Sequence, residues 1–260
     1  MIGAMPRFAA NLTMLFREMP IQARFAAARD AGFDGVEMLF PYAHSLPELQ
    51  TALEDSGLPM VLINTPEPGW GEGARGRAAL PGAEAQFRDE FRTACEWAHH
   101  LGAGMIHVMA GLATGDAAWR TYIDNLRWAA AEAPDRMLTI EPVNAADMPG
   151  YFLNDFDLAA RVLDAVGAAN LRLQFDAYHA HRITGDVMGT WARHRHRVVH
   201  VQVAGAEGRH EPVKGAIDYP AFFERLDADG YTGVVSAEYL PAGDTQDRLS
   251  WMGQAQSGDK

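Results

Sequence analysis

Eight short runs rich in β-branched and other apolar residues, each followed by a segment of helical period, constrain this chain more than any other feature. They lie at 7–15 (RFAANLTML), 35–40 (GVEMLF), 59–65, 104–110, 137–143, 171–179, 198–204 and 234–239. Between them, Phe87, Phe91, Ala94, Ala98 and Leu101 recur at spacings of three and four, the mark of one helix face. Leu158, Val162, Leu163 and Val166 do the same, after the candidate caps Asn154 and Asp155 and before the stop Gly167,. Ser45 and Gly57 bracket another helix, and AGFDGVEM and DGYTGVVS repeat one helix–glycine–strand junction. Such alternation predicts an α/β fold with parallel strands. A count of eight favours a closed (β/α)8 TIM barrel over an open doubly wound sheet. No G-x-G-x-x-G follows the first run, which weakens the dinucleotide-binding alternative,. With 260 residues, against ~250 for a typical barrel, we expect a single domain over 1–252 and a disordered tail over 253–260. The turn-rich stretch 64–82, with Gly69, Gly71, Gly73, Gly76 and Gly82, is long enough to predict an active-site cover.

Charge and composition exclude several classes. The net charge is −12 and the only lysines are Lys214 and Lys260. A nucleic-acid partner, which demands a dense positive surface, is not expected. No run approaches the ~18 apolar residues of a membrane span, and the first residues do not read as a signal peptide. The one cysteine, Cys95, forbids an internal disulfide, fits a reducing, cytoplasmic setting and reads as a structural helix residue,.

The chemistry-bearing signal is a phase relation. Strand side chains alternate between faces. In 137–143, Leu138 and Ile140 share one face, and Thr139 and Glu141 the other. In 171–179, Leu173 and Phe175 oppose Gln174 and Asp176. In 198–204 the valines oppose His200 and Gln202; in 234–239, Val235, Ala237 and Tyr239 oppose Ser236 and Glu238. If the apolar faces meet outer helices, Glu141, Asp176, Gln202 and Glu238 converge inside the barrel at its C-terminal end, where barrel active sites lie. Three carboxylates in one cavity repel, and a divalent cation neutralises them. All-oxygen ligands point to Mg²⁺ or Mn²⁺. His179, near the mouth, is a candidate for binding substrate, and Arg209 for holding an anion. His194 and His196 are expected to be solvated cations at a helix C-terminus, His200 a hydrogen-bonded core residue, and Lys214 a weaker candidate.

The segments RFAANLTMLF, GFDGVEMLFPY, LINTPEPGWGEGARG, LPGAEAQFRDEF, IEPVNAADMPGYFL, LQFDAYHAHR, HVQVAGAEGRHEP and GYTGVVSAEYLP, taken in order over about 7–241, resemble the hydroxypyruvate isomerase family of the sugar isomerase and epimerase barrels. The resemblance implies Glu141 and Glu238 as an acid/base pair that also binds metal, Asp176 and Gln202 as further ligands, and His179, Arg209 and Asp147 as substrate contacts, Arg209 at the carboxylate. It implies interconversion of hydroxypyruvate and 2-hydroxy-3-oxopropanoate (tartronate semialdehyde) through an enediolate, in glyoxylate metabolism, with a small anionic 2-oxo acid as partner. A homo-oligomer stays open. So do 2-oxo-tetronate isomerisation, ketose 3-epimerisation of neutral sugars, and a barrel that only binds a ligand. The chain departs from the family at EPVKGAI, residues 211–217, where a Gly-rich stretch is usual, and at its C-terminal end.

Overall fold

In the computed structural model, residues 6–69, 74–213 and 215–256 are described. The strands are β1 (Arg7–Asn11), β2 (Gly35–Met38), β3 (Met60–Asn64), β4 (Met105–His107), β5 (Met137–Ile140), β6 (Leu171–Asp176), β7 (Val198–Val203) and β8 (Val234–Ala237). They pair in parallel in sequence order, and β8 closes on β1. The helices are α1 (Ile21–Asp30), α2 (Leu46–Ser56), α3 (Glu84–His100), α4 (Gly115–Glu132), α5 (Phe156–Val166), α6 (Ala177–Thr184), α7 (Val187–His194), α8 (Tyr219–Ala228) and α9 (Ser250–Gln256). The eight expected strands are all present, in a (β/α)8 barrel.

The strands are shorter than the apolar runs that announced them, for local reasons. The first run was expected to extend to residue 15, but the chain turns at Asn11, whose carbonyl accepts from Met14 and Leu15. Leu12 and Leu15 remain buried in that turn. The sixth ends at Asp176 because its carboxylate caps α6, accepting from the backbone N–H of Tyr178 at 2.7 Å and of His179 at 3.4 Å,. Asp155 caps α5 through Leu158 N–H at 2.7 Å, and Gly167 ends that helix at φ 69°, the left-handed geometry glycine takes without strain. Ser45 stands at the N-terminus of α2 without making a side-chain cap. The tail expected to be disordered from 253 onward is helical as far as Gln256; 257–260 lie outside the described residues.

The two faces of the strands separate as their alternation requires. Phe175, facing outward on β6, meets Phe156 of α5, Trp191 of α7 and Phe222 of α8 at ring-centroid distances of 5.3, 5.5 and 5.9 Å. Ala9, Val61 and Leu62, with Met105 and Val234 against them, form a second, small apolar cluster. His194 corrects an expectation: it is buried rather than solvated, stacked near Phe156, with Nε2 3.4 Å from Asp157. Burial pushes its pKa down, so the packing of α7 on α5 outweighs the helix-end attraction for a cation. His196 is exposed as expected. Cys95 is half-buried, and burial pushes its thiol up to about 11, which suits a structural residue.

Phe175→Ala is expected to lower the unfolding free energy by ~3–5 kcal/mol through the cavity it leaves. Met188→Ala, at an exposed position, should change it by no more than about 0.5 kcal/mol. Denaturant titration of the two variants checks this; equal effects would contradict the layer assignment.

Candidate active site

The acids predicted from strand phase gather at the C-terminal mouth of the barrel. Glu141 and Glu238 follow directly on β5 and β8, Asp176 ends β6, and all three are buried. One atom, Arg209 Nη2, stands 2.6 Å from Glu238 Oε1 and 3.2 Å from Asp176 Oδ2. Glu141, Asp176 and His179 each offer a ligand atom within 4.8 Å of the others, a group of metal-competent side chains found among the described residues. Burial raises the pKa of all three carboxyls. For Glu141 the charges of Glu238 and Asp176 raise it further; for Asp176 the Arg209 charge partly opposes the rise. Glu238 is pushed up to about 8. Burial works against the charge on Arg209, but Glu238, Asp176 and Glu141 hold it more firmly protonated than usual.

Gln202 lies beneath these acids, fully buried, and belongs to a chain of hydrogen bonds across the barrel interior. Thr139 Oγ1 donates to Gln174 Oε1 at 2.9 Å, Gln174 Nε2 donates to Gln202 Oε1 at 2.7 Å, and Gln202 Nε2 donates to Glu37 Oε1 at 2.9 Å. Glu37 also receives Asn11 Nδ2 and His200 Nε2, each at 2.9 Å. Burial alone would raise the Glu37 pKa; the hydrogen bond and charge of His200 and the hydrogen bond from Gln202 pull it below the ordinary value. His200 is thus a hydrogen-bonded core residue. Sequence reasoning missed Glu37, although the alternation in GVEM, with Val36 and Met38 on one face, carried the same signal as the later strands. It also missed His107, whose Nδ1 lies 3.3 Å from Asn64 Oδ1 and 3.8 Å from Glu141 Oε2. Burial, then the neighbouring His200, pushes His107 down to about 3, so its imidazole is neutral.

The tautomer of His179 follows from its surroundings. Asn144 Oδ1 accepts the backbone N–H groups of Ala146 and Asp147 at 3.1 and 3.0 Å. Its amide nitrogen therefore faces His179 Nδ1 at 2.8 Å and donates there, as does its own backbone N–H at 3.4 Å. With Nδ1 an acceptor, the proton of a neutral imidazole sits on Nε2, the atom 3.7 Å from Asp176 Oδ2. Burial, then Arg209, keeps the ring neutral. In this state His179 presents an N–H at Nε2,. Asp147 Oδ2 accepts from Tyr178 Oη at 2.8 Å and from Asn144 Nδ2 at 3.0 Å. The Arg209 guanidinium carbon lies 5.2 Å from the centre of the Tyr178 ring.

These groups line a partly open cavity of about 190 Å³, with Glu141, Gln174, His179, Arg209 and Glu238 from the later strands and Met14, Leu39, Asn64, Arg75, His107 and Met109 from the earlier part of the chain. Asn64 and Arg75 belong to the 64–82 stretch expected to cover the site; residues 70–73 of it, and Lys214, lie outside the described residues. Larger hollows lie at the opposite end of the barrel beside Trp191 and Tyr231, and on the surface beside Trp119 and Arg161. Neither gathers convergent acids. The donor set of this cavity suits a divalent cation. Three buried carboxyls gather beside the Arg209 guanidinium, and among the described residues Glu141 Oε1 is buried with no hydrogen-bond partner, a state that costs free energy unless something positive meets it.

A closed parallel barrel with acids converging at the C-terminal ends of its strands defines a TIM-barrel enzyme site. Residues 25–255 match the family described as xylose isomerase-like TIM barrel. The chain is 46% identical to a 2-oxo-tetronate isomerase of Cupriavidus necator over 95% of its own length and 98% of the relative's. It is 37% identical to hydroxypyruvate isomerase of Escherichia coli over the same shares. A Brucella melitensis structure described as an AP endonuclease, family 2, superposes with a TM-score of 0.93 at 39% identity, covering 96% of this chain and 99% of that one. The chain belongs to the xylose isomerase-like TIM-barrel family, in the branch of the hydroxypyruvate and 2-oxo-tetronate isomerases.

The raised carboxyl pKa values have a consequence for stability. Acids that hold protons more tightly folded than unfolded stabilise the protein at low pH and lose that contribution as pH rises. The window runs from the unfolded carboxyl value, roughly 4.3, to the folded value of about 8 for Glu238. The melting temperature of chelator-treated protein should fall across this window. Added Mn²⁺ should recover more of it at pH 8 than at pH 5, because ligation needs deprotonated carboxylates. A melting temperature insensitive to Mn²⁺ at pH 8 would contradict the site.

Proposed function

We propose that this protein isomerises small 2-oxo acids bearing a neighbouring hydroxyl, interconverting hydroxypyruvate and 2-hydroxy-3-oxopropanoate. The observation that carries it is the pair of buried carboxyls, Glu141 and Glu238, facing one small cavity from β5 and β8, both with pKa values raised by burial, that of Glu238 to about 8. Such groups take and return protons near neutral pH, which ordinary carboxylates do poorly. One glutamate removes the proton from C3 of hydroxypyruvate to give the enediolate, the hydroxyl proton passes from the C3 oxygen to the C2 oxygen, and the other glutamate delivers a proton to C2. Held by Glu141, Asp176, Gln202 and Glu238, a Mg²⁺ or Mn²⁺ ion would act as a Lewis acid and offset the developing negative charge. Gln202 Oε1 keeps a second lone pair for this purpose, since a carbonyl oxygen accepts twice. His179 Nε2–H donates to a substrate oxygen, Asp147 accepts from a substrate hydroxyl, and the Arg209 guanidinium screens the acids and contacts the substrate beside them.

The relatives' names support this substrate class. 2-Oxo-tetronate, the four-carbon homologue, fits the same chemistry. A phosphodiester substrate finds less support, because 34 acidic residues outnumber 22 basic ones, and such substrates are drawn by positive surfaces. The free thiol of Cys95 suits the cytoplasm, and no helix among the described residues is long and apolar enough to cross a membrane.

The test is turnover of a panel of 2-oxo acids and neutral ketoses, with chelator and with added Mg²⁺ or Mn²⁺. Hydroxypyruvate should be isomerised only with the metal present. Glu141→Gln and Glu238→Gln should each lower kcat by ~10²–10⁴ while the circular dichroism spectrum is kept. Full activity in the double variant would remove the assignment.

A further inference from the structure

Gln202 differs from the acids beside it in one respect. A carboxylate offers an oxygen whichever way it turns, whereas an amide offers an oxygen or an NH₂ according to its rotation. Gln202 stands in register with Asp176 on the neighbouring strand. The rotation of its amide therefore decides whether an acceptor oxygen or N–H groups are available beside the acids. That rotation is fixed from beneath, by a line of buried hydrogen bonds whose two ends are unequal.

The line runs from Thr139 through Gln174 and Gln202 to Glu37, every member buried. The Thr139 hydroxyl can donate or accept, so that end fits the line read in either direction. Both glutamine amides can rotate. The Glu37 end cannot reverse. Its Oε1 accepts from Gln202 Nε2 and from Asn11 Nδ2, each at 2.9 Å. Asn11, in register with Glu37 on β1, is itself held, because its Oδ1 accepts the Thr13 N–H at 3.0 Å. With a donor of fixed direction upon it, Glu37 Oε1 stays an acceptor, and Gln202 must turn its NH₂ toward it. The Gln202 oxygen then faces Gln174 Nε2 at 2.7 Å, and Gln174 Oε1 is left for Thr139 at 2.9 Å. Direction thus passes from Asn11 to Gln202 through one oxygen atom.

We propose that Glu37 is a positioning residue, whose Oε1 fixes the Gln202 amide so that its oxygen, not its NH₂, is offered to a divalent cation. The inference rests on the metal-assisted reading above, and its test reads binding rather than turnover. Mn²⁺ is titrated calorimetrically into wild type, E37M, E37Q and T139V, and the affinity is taken for the site that E141Q abolishes. Groups that hold a metal ligand from behind are worth ~10–100-fold in affinity, so E37M, of similar length but with no acceptor, should bind about tenfold or more weakly. E37Q loses the charge but keeps an oxygen for Asn11 and Gln202. Its NH₂ would face His200 Nε2, and His200 Nδ1, without a partner among the described residues, can take the proton,. E37Q should therefore stay within about threefold of wild type, and so should T139V, which breaks the same line at its indifferent end. Equal losses in E37Q and E37M would mean that Glu37 acts through charge, and would overturn the proposal. An unaltered affinity in E37M, an equal loss in T139V, or no Mn²⁺ binding by wild type would overturn it as well. Should E37M not fold, neutron diffraction from wild-type crystals decides: an NH₂ of Gln202 directed at Glu37 supports the proposal, and one directed at Gln174 overturns it. Absence of hydroxypyruvate turnover in a wild type that binds Mn²⁺ would instead overturn the isomerase reading, while the affinities would still decide the role of Glu37.

Discussion

The structure depends on one unfavourable act: burying three carboxyls, Glu141, Asp176 and Glu238, close together beside the Arg209 guanidinium. In water such groups would stay solvated and ionised. Inside the barrel, desolvation and mutual repulsion push their proton affinities up,. That cost is tolerable because the rest of the molecule is a large apolar annulus, where Phe175, Trp191 and Phe222 pack in edge and stacked contacts. The same cost makes the site useful. A carboxyl whose pKa lies near neutrality can exchange protons with carbon acids, and a cluster of them invites a divalent cation.

Beneath the acids lies a polar floor rather than a purely hydrophobic plug. Thr139, Gln174, Gln202, Glu37, His200 and Asn11 form a connected set of hydrogen bonds. Glu37 is ionised there because three donors meet it, whereas Glu141 has an oxygen with no partner. Two buried glutamates a few strands apart therefore behave oppositely. The difference lies in the donors supplied by their neighbours, not in burial, which they share. By fixing the Gln202 amide, Glu37 also holds in place one of the groups proposed to meet the cation.

Much of this was legible in the sequence because strands have a strict period of two. Once Leu138 and Ile140 faced the helices, Thr139 and Glu141 had to face the interior, and the same logic placed Asp176, Gln202 and Glu238. Strand ends were less legible. Leu12 and Leu15 are as apolar as strand residues but pack in a turn, and side-chain hydrophobicity does not report where the backbone bends. Glu37 escaped because a single acid in a short strand reads as a solvated end until its donors, distant in sequence, are known. His194 was misjudged because its helix position suggested a cation, while the partners that bury it, Phe156 and Asp157, come from another helix.

The central claim is that the last four strands deliver their acids and amide to one bound cation. Anomalous diffraction from crystals grown with Mn²⁺ near pH 7.5 tests it most directly. The account predicts one dominant peak in the cavity at the barrel mouth, ligated by Glu141, Asp176, Gln202 and Glu238, with His179 facing it but not ligating. An empty cavity, or manganese held only by surface carboxylates, would contradict it.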